Sequence, residues 1–331
     1  MDPKIIITGS AGHLGEALAR TLREGSWRVL GMDLKPSGFT DRVGSITDRP
    51  FVSACMQGAD IVIHTATLHK PHVGTHSKQE FIDTNITGTL VLLEEAIAAG
   101  ASAFIFTSTT SVFGDALTPS PAQPAAWVTE DVVPAPKNIY GVTKAAAEDL
   151  CALFYRNHGL PSVVLRTSRF FPEEDDNQEM RQAYQDANAK ANEFLYRRVD
   201  LEDVVSAHLL AMGKAPAIGF GRYIISATTP FSRADLSALR TNAPEVLRRI
   251  EPAYAEEYKR RGWVMFPGID RVYDNEKARR ELGWQPVYDF HHVLTSLRAD
   301  KDPRSPLAQM TGSKRYHERA FENGPYPLEG I

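Results

Sequence analysis

Apolar positions along the first two thirds of the chain follow two alternating periods. Short unbroken apolar runs, typical of strands buried on both faces, are separated by segments whose apolar residues recur with the period of a helix. The runs are KIIIT, WRVLGMD, ADIVIHTA, SAFIFTST and SVVLRTSRFF, and the helical segments include LGEALARTLRE, QEFIDTNITGTLVLLEEAIAAG and YGVTKAAAEDLCALFYRNHG. This order predicts an α/β fold in which helices cover both faces of a parallel sheet.

The alternation weakens after Phe171. An acidic stretch, the segment 228–267 and a proline-punctuated tail from Asp300 indicate a second, smaller lobe assembled from several insertions. Between them, RRVDLEDVVSAHLLAM and GRYIISA return to helix and strand patterns. We therefore expect the sheet domain over residues 1–167, with further sheet elements from about 197–226, and the smaller C-terminal lobe mainly over residues 168–331.

Composition and charge exclude several classes of partner. The 331 residues carry a formal net charge of −4 and no basic run, so the chain lacks the electrostatic signature of nucleic-acid binding. Its two cysteines, Cys55 and Cys151, form no C-x-x-C pair, which favours a reducing compartment. No apolar run approaches the length of a membrane span, and the chain enters its first strand almost at once, so we expect a cytoplasmic protein without membrane association.

Three glycines lie where the first apolar run meets the first helical segment, in TGSAGHLG. Gly9 permits a tight turn, Gly12 permits close approach of a pyrophosphate, and Gly15 lets the helix pack close to the strand. The start of the helix, with His13 and Leu14, offers free N–H groups to an anion. This order of elements favours a dinucleotide site over a plain connection without a ligand, and it makes the predicted sheet a doubly wound, Rossmann-type one.

A dinucleotide site calls for an acidic residue about twenty residues after the glycines, at the end of the second strand, to bind the adenosine ribose. Asp33 occupies that position, with Leu34 beside it. A carboxylate there repels a 2′-phosphate, which favours NAD over NADP, although Lys35 keeps NADP open. The alternative for Asp33 is an ordinary turn residue at a strand end.

Tyr140 and Lys144 open a predicted helix four residues apart, which puts both side chains on one face. A phenol needs a neighbouring cation to act as a base near neutral pH, and Lys144 supplies one. Tyr273 and Lys277 have the same spacing, so the motif alone is weak. Tyr140 is preferred because it follows a predicted strand and a proline-rich loop, whereas Tyr273 lies late in the chain near a predicted helix start.

A hydroxyl at the end of the preceding strand is expected to bond the reacting oxygen and to share a proton with Tyr140. Threonine is common in strands and serine in turns, so composition does not choose among the available groups. The stretch FTSTTSVFG offers five of them: Thr107, Ser108, Thr109, Thr110 and Ser111.

A set of motifs occurs along the chain in the order TGSAGHLG, Asp33, ADIVIHTA, NITGT, STTSVFG, YGVTK, VDLEDVVSAH and KARRELGWQP. As a set, these motifs resemble the extended short-chain dehydrogenase family, in its NAD-dependent epimerase and dehydratase group. The resemblance spans roughly residues 4–297. It implies an NAD cofactor, a substrate-binding role for the smaller lobe, and Thr109 as the catalytic hydroxyl beside Tyr140 and Lys144. It also implies that six residues contact the cofactor or support its site: Ser45, Ile46, Ala66, Thr67, Asn85 and Ser108.

The sequence departs from the family pattern at positions expected to contact the cofactor and at positions expected to contact the substrate. Ser45 stands where relatives usually carry Asp, which puts the contact to the adenine amino group in doubt. Arg169 stands where many nucleotide-sugar enzymes have Asn, and Arg197 and Arg198 lie near the family's other phosphate-binding arginine, one residue out of register. Because guanidinium groups bind phosphate and carboxylate, Arg169 and Arg198 are expected to contact an anionic substrate. The expected substrate contacts are therefore Thr109, Thr110, Arg169 and Arg198.

Thr110 and Ser111 follow the catalytic hydroxyl where the family's dehydratases carry an Asp-Glu pair, and hydroxyls do not replace carboxyl groups in eliminating water. The sequence thus predicts an NAD-dependent sugar-modifying enzyme, chiefly a C4-epimerase-like isomerase of a nucleotide-linked or anionic sugar. Two alternatives stay open. One is an NAD-dependent dehydrogenase or reductase of a sugar or small alcohol, and the other is a non-catalytic NAD(H)-binding sensor.

The histidines of HTATLHKPHVGTH raise the question of a metal site. A zinc site needs ligands that converge in space, usually with further hydrogen-bonded support. His64 ends a strand and is expected to be structural, whereas His69, His72 and His76 are expected in a loop beside the substrate pocket. We therefore predict no metal.

Two helical segments are apolar over more than the one stripe needed to cover a sheet, namely ITGTLVLLEEAIAAG and KAAAEDLCALFYRNHG. Two copies of each are expected to form a four-helix bundle in a homodimer, with close approach at the small residues 145–147. The competing explanation is that the chain's own tail, residues 300–331, covers the second apolar face.

Overall fold

The computed structural model describes residues 2–317 and Phe321. A seven-stranded parallel sheet forms its centre, in the order β3-β2-β1-β4-β5-β7-β8, and β6 pairs with β9 in a separate parallel ribbon. The strands are β1 (Lys4–Thr8), β2 (Arg28–Asp33), β3 (Arg42–Val43), β4 (Ile61–His64), β5 (Ala103–Thr109), β6 (Ala126–Val128), β7 (Ser162–Thr167), β8 (Phe220–Ile225) and β9 (Arg271–Tyr273). The predicted doubly wound α/β fold is confirmed.

Helices connect the strands and cover both faces of the sheet. They are α1 (His13–Arg23), α2 (Arg49–Met56), α3 (Lys78–Ile82), α4 (Gly88–Ala99), α5 (Ile139–His158), α6 (Gln178–Ala183), α7 (Asp186–Glu193), α8 (Leu201–Ile218), α9 (Leu236–Ile250), α10 (Ala253–Arg261), α11 (Glu276–Leu282), α12 (Phe290–Arg298) and α13 (Pro306–Thr311). No helix among residues 2–317 is long and apolar enough to cross a membrane.

The chain order creates a crevice at the centre of the sheet. The strands β1 to β3 run outward to one edge, and β4 returns to pair with the other side of β1. In open α/β sheets, ligands bind at such a switch point, beyond the carboxyl ends of the strands. Five side chains stand at these ends: Thr8, Asp33, His64, Thr109 and Thr167.

Alternating side chains of β1 fill two separate core layers, as expected for a strand buried on both faces. Ile5 and Ile7 pack in the layer that contains residues of α1 and α8. Ile6 packs on the opposite side, against residues of α2, α4 and α5. The uninterrupted apolar run at the start of the chain is therefore explained by burial on both faces of the sheet.

A third apolar cluster lies outside the sheet and supports the smaller lobe. Its buried members run from Ala125 to Leu297 and include Tyr258 and Phe266. The later elements α11 and α13 return to the sheet domain, because Ala278 and Leu307 belong to the layer of α1 and α8. We propose the expected two-part division with this change, that α11 and α13 pack with the sheet domain.

The structure differs from the predicted continuous helix over residues 79–100. The segment is divided into α3, a π-helical turn at Asp83–Thr87, and α4. A π-turn inserts one residue into the helical repeat and rotates the side chains that follow it, and such turns are frequent at functional sites. Here the turn contains the buried Asn85, whose contacts belong to the site below.

Candidate active site

One cavity of about 1040 Å³ lies at the carboxyl ends of the sheet strands. The glycine loop, the end of β5 and the start of α5 all contribute to its wall. Of the residues predicted to bind cofactor or substrate or to act in catalysis, those that line it are Gly9, Gly12, His13, Leu14, Gly15, Asp33, Leu34, Ser45, Ile46, Ala66, Thr67, Ser108, Thr109, Thr110, Tyr140, Lys144 and Arg169. The predicted cofactor and catalytic groups therefore share one chamber.

The glycine loop packs against neighbouring backbone too closely for a side chain at Gly9 or Gly15. Gly9 has a φ of +74°, and a Cβ there would lie 2.7 Å from the backbone nitrogen of Ala66. A Cβ on Gly15 would lie 2.0 Å from the carbonyl oxygen of Gly9. Gly12 caps α1 without a side-chain hydrogen bond, so the first N–H groups of α1 have no side-chain acceptor from their cap. This cradle fits the pyrophosphate of a dinucleotide.

Asp33 lines the cavity and also holds the glycine loop in place. Its Oδ2 accepts a hydrogen bond from the backbone nitrogen of Ala11 at 3.0 Å, and its Oδ1 accepts one from the nitrogen of Lys35 at 2.9 Å. A carboxylate oxygen accepts more than one hydrogen bond, so Asp33 retains capacity for ribose hydroxyls. Binding the ribose and fixing the loop are compatible roles.

Asn85 supports the site from behind the cavity wall rather than lining it. Its Oδ1 accepts from the Thr67 hydroxyl at 2.9 Å and from the backbone nitrogen of Leu68 at 2.8 Å. Its Nδ2 donates to Thr143 on α5 at 3.0 Å. The π-turn thus aims one buried amide at both the loop after β4 and the catalytic helix.

Tyr140 and Lys144 lie buried on the first turns of α5, which Asn138 caps by accepting from the nitrogen of Gly141. Burial raises the pKa of Tyr140, and a hydrogen bond with Thr109 offsets this only in part. Burial lowers the pKa of Lys144 to about 7, against the opposing effect of the Glu148 carboxylate. Within the protein alone, the two groups are therefore shifted in opposite directions from their ordinary values.

The structure distinguishes the hydroxyls at the end of β5 by their partners. Thr109 lies beside Tyr140 and lowers the pKa of its phenol, and the Thr109 hydroxyl donates to that of Ser111 at 3.2 Å. Thr107 bonds instead to Nε2 of the buried His208 at 2.8 Å. Ser108 donates to Glu148 at 2.6 Å. Thr109 is thus the hydroxyl that the fold brings to the phenol, a choice that the sequence pattern left open and that the family resemblance favoured.

A charged network behind the site was missed by the sequence analysis. Glu148 is 1% exposed and accepts hydrogen bonds from Ser108, Arg166 and Arg222. Buried carboxylates are stable in proteins when they are paired and hydrogen-bonded in this way. The signal was present in the sequence, because Glu148 lies four residues after Lys144, on the face that Tyr140 and Lys144 share.

Arg169 lines the cavity with its charge already compensated. Its guanidinium pairs with Asp175, with Asp176 at 2.9 Å and with Glu193 at 3.2 Å. Burial opposes ionisation of Glu193, but the surrounding guanidinium groups, Arg197 foremost, outweigh it and lower the pKa of Glu193. Arg169 therefore organises an ion-pair cluster as well as forming the cavity wall.

Arg197, rather than Arg198, reaches the cavity. Arg198 is 5% exposed and donates to Glu193 at 2.8 Å and to the carbonyl oxygen of Phe171 at 3.1 Å, so its guanidinium is used within the lobe. Arg197 also pairs with Glu193, at 2.7 Å, so both arginines hold the same carboxylate while only Arg197 lines the cavity. We replace Arg198 by Arg197 in the proposed substrate site, and we add Arg271, which also lines the cavity.

The histidines after β4 separate into two groups. His64 is buried between the hydroxyls of Thr8 and Thr89, at 2.7 and 3.0 Å, and is held structurally. His69, His72 and His76 line the cavity. Burial lowers the pKa of His69 to about 3, so its ring is neutral near pH 7. Among residues 2–317 and Phe321, no three side chains of the metal-binding types come together around one point.

The C-terminal segment is a second feature that the sequence analysis missed. Residues 314–317 line the same cavity as the glycine loop. Local patterns did not reveal this, because the contacts join residues about 300 positions apart, for example Lys314 with His13 and Glu16. Within the described part of the tail, α13 packs beside α1 and α8, and residues 314–317 lie at the cavity.

Comparison with known proteins gives a family match and relatives of differing activity. The model of the NAD dependent epimerase/dehydratase family matches residues 5–224. A UDP-glucose 4-epimerase of Streptomyces lividans is 28% identical over 174 residues, 49% of this chain and 51% of the relative. An NAD-dependent glucose-6-phosphate dehydrogenase of Haloferax volcanii is 29% identical over 181 residues, 50% of this chain and 68% of the relative. The chain spans about half the length of the curated relatives it matches.

A solved structure gives the corresponding likeness of fold. A short-chain dehydrogenase/reductase superfamily protein from Agrobacterium tumefaciens, crystallised with bound NAD, has a TM-score of 0.64 and 24% identity. The match covers 90% of this chain and 97% of that one. The match supports the doubly wound α/β fold described above.

Proposed function

Because the chain belongs to the NAD-dependent epimerase/dehydratase family, we propose that it is an NAD-dependent sugar-modifying enzyme, a C4-epimerase-like isomerase of a nucleotide-linked or otherwise anionic sugar. The observation that carries the proposal is the single cavity in which the glycine cradle faces Thr109, Tyr140 and Lys144. A hydroxyl, a phenol and an amine at one end of a dinucleotide cradle are the groups needed for oxidising an alcohol.

NAD held by the glycine cradle and Asp33 would supply the acceptor and donor of a hydride. The chain's own residues handle the proton. Tyr140 removes the proton of the reacting hydroxyl and later gives it back, and Thr109 holds the same oxygen through a hydrogen bond. Lys144 favours the phenolate when it is protonated, since an opposite charge nearby lowers the pKa of an acid, and with a pKa of about 7 it is protonated in part near neutral pH. Epimerisation then requires only that the ketone turn its other face before the hydride returns.

Elimination of water is disfavoured by the residues after Thr109. Thr110 and Ser111 line the cavity, and their hydroxyls cannot act as the acid and base of an elimination near neutral pH. The nearest carboxylate behind β5, Glu148, is occupied by Ser108 and by two arginines. These contacts support oxidation and reduction rather than dehydration.

An anionic substrate is supported by two arginines of the cavity wall. The Nε atoms of Arg197 and Arg271 are buried, and neither has a hydrogen-bond partner among the described residues. A buried donor without an acceptor is costly, so an anion or another acceptor from a ligand would stabilise this wall. Phosphate and carboxylate both meet that need.

The test is a screen of nucleotide sugars, uronates and free aldoses with two separate measurements. The first follows epimers formed by purified protein without added NAD, and the second follows NADH that accumulates with added NAD. Epimer formation with no net NADH is expected for the isomerase. Protein that carries no NAD, takes up none and converts none of these sugars would overturn the proposal.

A dehydrogenase or reductase of a sugar or small alcohol is the second candidate, and Arg169 favours it. Asp175, Asp176 and Glu193 compensate the charge of Arg169 at the position where many nucleotide-sugar enzymes use Asn. That wall is therefore less suited to a second phosphate, and a smaller substrate fits the arrangement. Substrate-dependent accumulation of NADH would favour this candidate over the isomerase.

We also propose a homodimer built on α4 and α5. Val142 and Leu153 on α5 are 47% and 38% exposed, and Ile82 before α4 is 37% exposed. Helices of a monomer normally bury such an apolar stripe, and a second copy would cover it. The tail through His317 lies elsewhere, at the cavity, while residues 318–320 and 322–331 lie outside the described part of the chain.

A further inference from the structure

The segment Ser313–His317, which we call the strap, runs across the mouth of the cavity and connects its two sides. One oxygen of Glu173 in the smaller lobe accepts hydrogen bonds from the Ser313 hydroxyl at 2.6 Å and from the Lys314 nitrogen at 3.0 Å. The same oxygen is 2.9 Å from Nε2 of His13, at the start of α1. The strap therefore closes a junction between the glycine loop and the lobe.

Side chains of the strap also contact α1 and the turn after β4. The Lys314 ammonium pairs with Glu16 on α1. Nε2 of His317 lies 2.9 Å from the carbonyl oxygen of Pro71, in the turn that follows β4. Burial opposes ionisation of Glu173, but the bonds from His13 and Ser313 outweigh it and hold its pKa at about 2. The anchor is thus charged throughout the ordinary pH range.

Tyr316 gives the strap its contact with the interior. Its ring stacks on His69, with centroids 5.3 Å apart and planes 17° apart. The His69 ring in turn lies 5.1 Å from the ring of Tyr140, and Phe171 meets Tyr316 edge-on at 5.6 Å. Aromatic pairs in these geometries add stability beyond the area that they bury. A continuous row of rings therefore runs from the strap to the phenol of the site.

These contacts lie over the part of the cavity that the glycine cradle faces. His13 belongs to that cradle, and it lies within 5.8 Å of the Tyr316 ring, measured between centroids. Arg315 also lines the cavity and brings a cation to the same side, where a pyrophosphate carries negative charge. A dinucleotide in the cradle would lie beneath the strap, and it could not leave by this side while the strap is in place.

We propose that the strap closes over the bound dinucleotide and that its opening limits exchange of the cofactor. The proposal rests on the cofactor part of the proposed function. It agrees with an enzyme that returns the hydride to its substrate, because such an enzyme gains from keeping one cofactor molecule through many turnovers. The Tyr316 ring and the Glu173 carboxylate are the groups that hold the strap closed.

The first experiment measures the rate at which NADH leaves the full-length protein, by fluorescence after a chase with excess NAD. Tyr316→Ala and a chain ending at Gly312 are compared with Met310→Ala, a surface change on α13 where the side chain is 60% exposed. Loss of the ring contacts is expected to speed dissociation roughly tenfold in Tyr316→Ala and further in the shortened chain, with Met310→Ala like the parent. Parent-like rates in both strap variants would overturn the proposal.

A second measurement keeps the test independent of folding differences between variants. Trypsin cleaves after Lys and Arg, and Lys314 and Arg315 lie within the strap. In the parent protein, NADH is expected to slow cleavage at these two residues several-fold, because closure protects them, and cleavage that NADH leaves unchanged would count against closure. Tighter NADH binding by the shortened chain would mean that the strap obstructs the cradle, which also contradicts the proposal.

The two proposals fail in different ways. A parent chain that binds no NADH by either measurement refutes the cofactor on which both rest. A parent chain that binds NADH but converts no sugar refutes the proposed activity, and the dissociation rates still decide whether the strap closes over the cofactor.

Discussion

The ammonium group of Lys144 donates a hydrogen bond to the backbone carbonyl oxygen of Thr107, at 2.6 Å, within the buried wall of the site. It also lies 4.0 Å above the centre of the Phe106 ring. These two contacts hold a cation that burial disfavours, since the pKa of Lys144 falls to about 7 from an ordinary 10.5. The site thus fixes the position of Lys144 while burial weakens its hold on the proton.

This arrangement predicts a pH-dependent gain in stability for Lys144→Met. Between about pH 7 and 10.5 the unfolded chain binds a proton at this residue that the folded chain lacks, so the cost of Lys144 is complete below pH 7 and fades as the pH rises toward 10.5. After allowance for the lost hydrogen bond, the free energy of unfolding of the variant is expected to exceed that of the parent by about 2 kcal/mol at roughly pH 6. Urea unfolding from about pH 6 to pH 9 should show this advantage shrinking, and a variant less stable at every pH would contradict it.

Tyr140→Phe is expected to lower kcat by roughly 10²- to 10⁴-fold, because the ring remains while the group that moves the proton is lost. NADH affinity should stay near that of the parent. Tyr254→Phe is the matched control, since its hydroxyl bonds only to the carbonyl oxygen of Pro244 within the lobe. Full activity in Tyr140→Phe with normal NADH binding would instead favour a non-catalytic NAD(H) sensor.

A pair of substitutions distinguishes the role of Thr109 in catalysis from that of Ser111. Thr109→Val keeps the shape of the side chain but removes the hydroxyl that lowers the pKa of Tyr140, and it is expected to lower kcat roughly ten- to hundredfold. Ser111→Ala removes the hydroxyl that accepts a hydrogen bond from Thr109 at 3.2 Å but leaves the Thr109 hydroxyl in place, and a loss of about threefold or less is expected. Steady-state kinetics at saturating substrate measures both, and the reverse order would assign the catalytic hydroxyl to Ser111.

Arg169→Ala is expected to destabilise the protein by about 3–5 kcal/mol, because it leaves buried carboxylates without their central partner. Asp175, 8% exposed, is the group most affected, because its other guanidinium partner, Arg197, lies 3.5 Å away, whereas Glu193 keeps Arg197 and Arg198. Arg298→Ala, an exposed position on α12 of the same lobe, is the control. Urea unfolding checks the difference, and an Arg169→Ala protein as stable as the control would show that the cluster does not depend on this guanidinium.

Leu153→Glu is expected to convert a dimer into a monomer, because it places a charge in the middle of the apolar face of α5. Light scattering should give about twice the chain mass of 36.6 kDa for the parent and the single-chain mass for the variant. Val287→Glu changes an equally apolar residue that is 63% exposed outside α4 and α5, and it should remain dimeric. A parent of single-chain mass at micromolar concentration would rule out this interface.

Patterns within short segments were enough for the sheet, the glycine loop and the pairing of Tyr140 with Lys144. Each depends on spacing along one strand, one turn or one helix, which the backbone converts directly into a direction in space. The order TGSAGHLG therefore predicted the cradle, and the four-residue interval predicted that phenol and amine share a face. The division into two lobes is supported by the apolar clusters in the same way, apart from α11 and α13.

Only the tertiary structure decided which groups meet when they come from different segments. Five hydroxyls follow one another at the end of β5, and their roles separate because His208, Glu148 and Tyr140 approach from other elements. Arg197 lines the cavity and Arg198 does not, because Arg198 is buried against Glu193 and the carbonyl oxygen of Phe171, which come from other segments. The strap reaches the glycine loop across about 300 residues, and no local period records such a contact. Spacing along the chain determines local shape, whereas the partners of a side chain depend on how separate elements pack together.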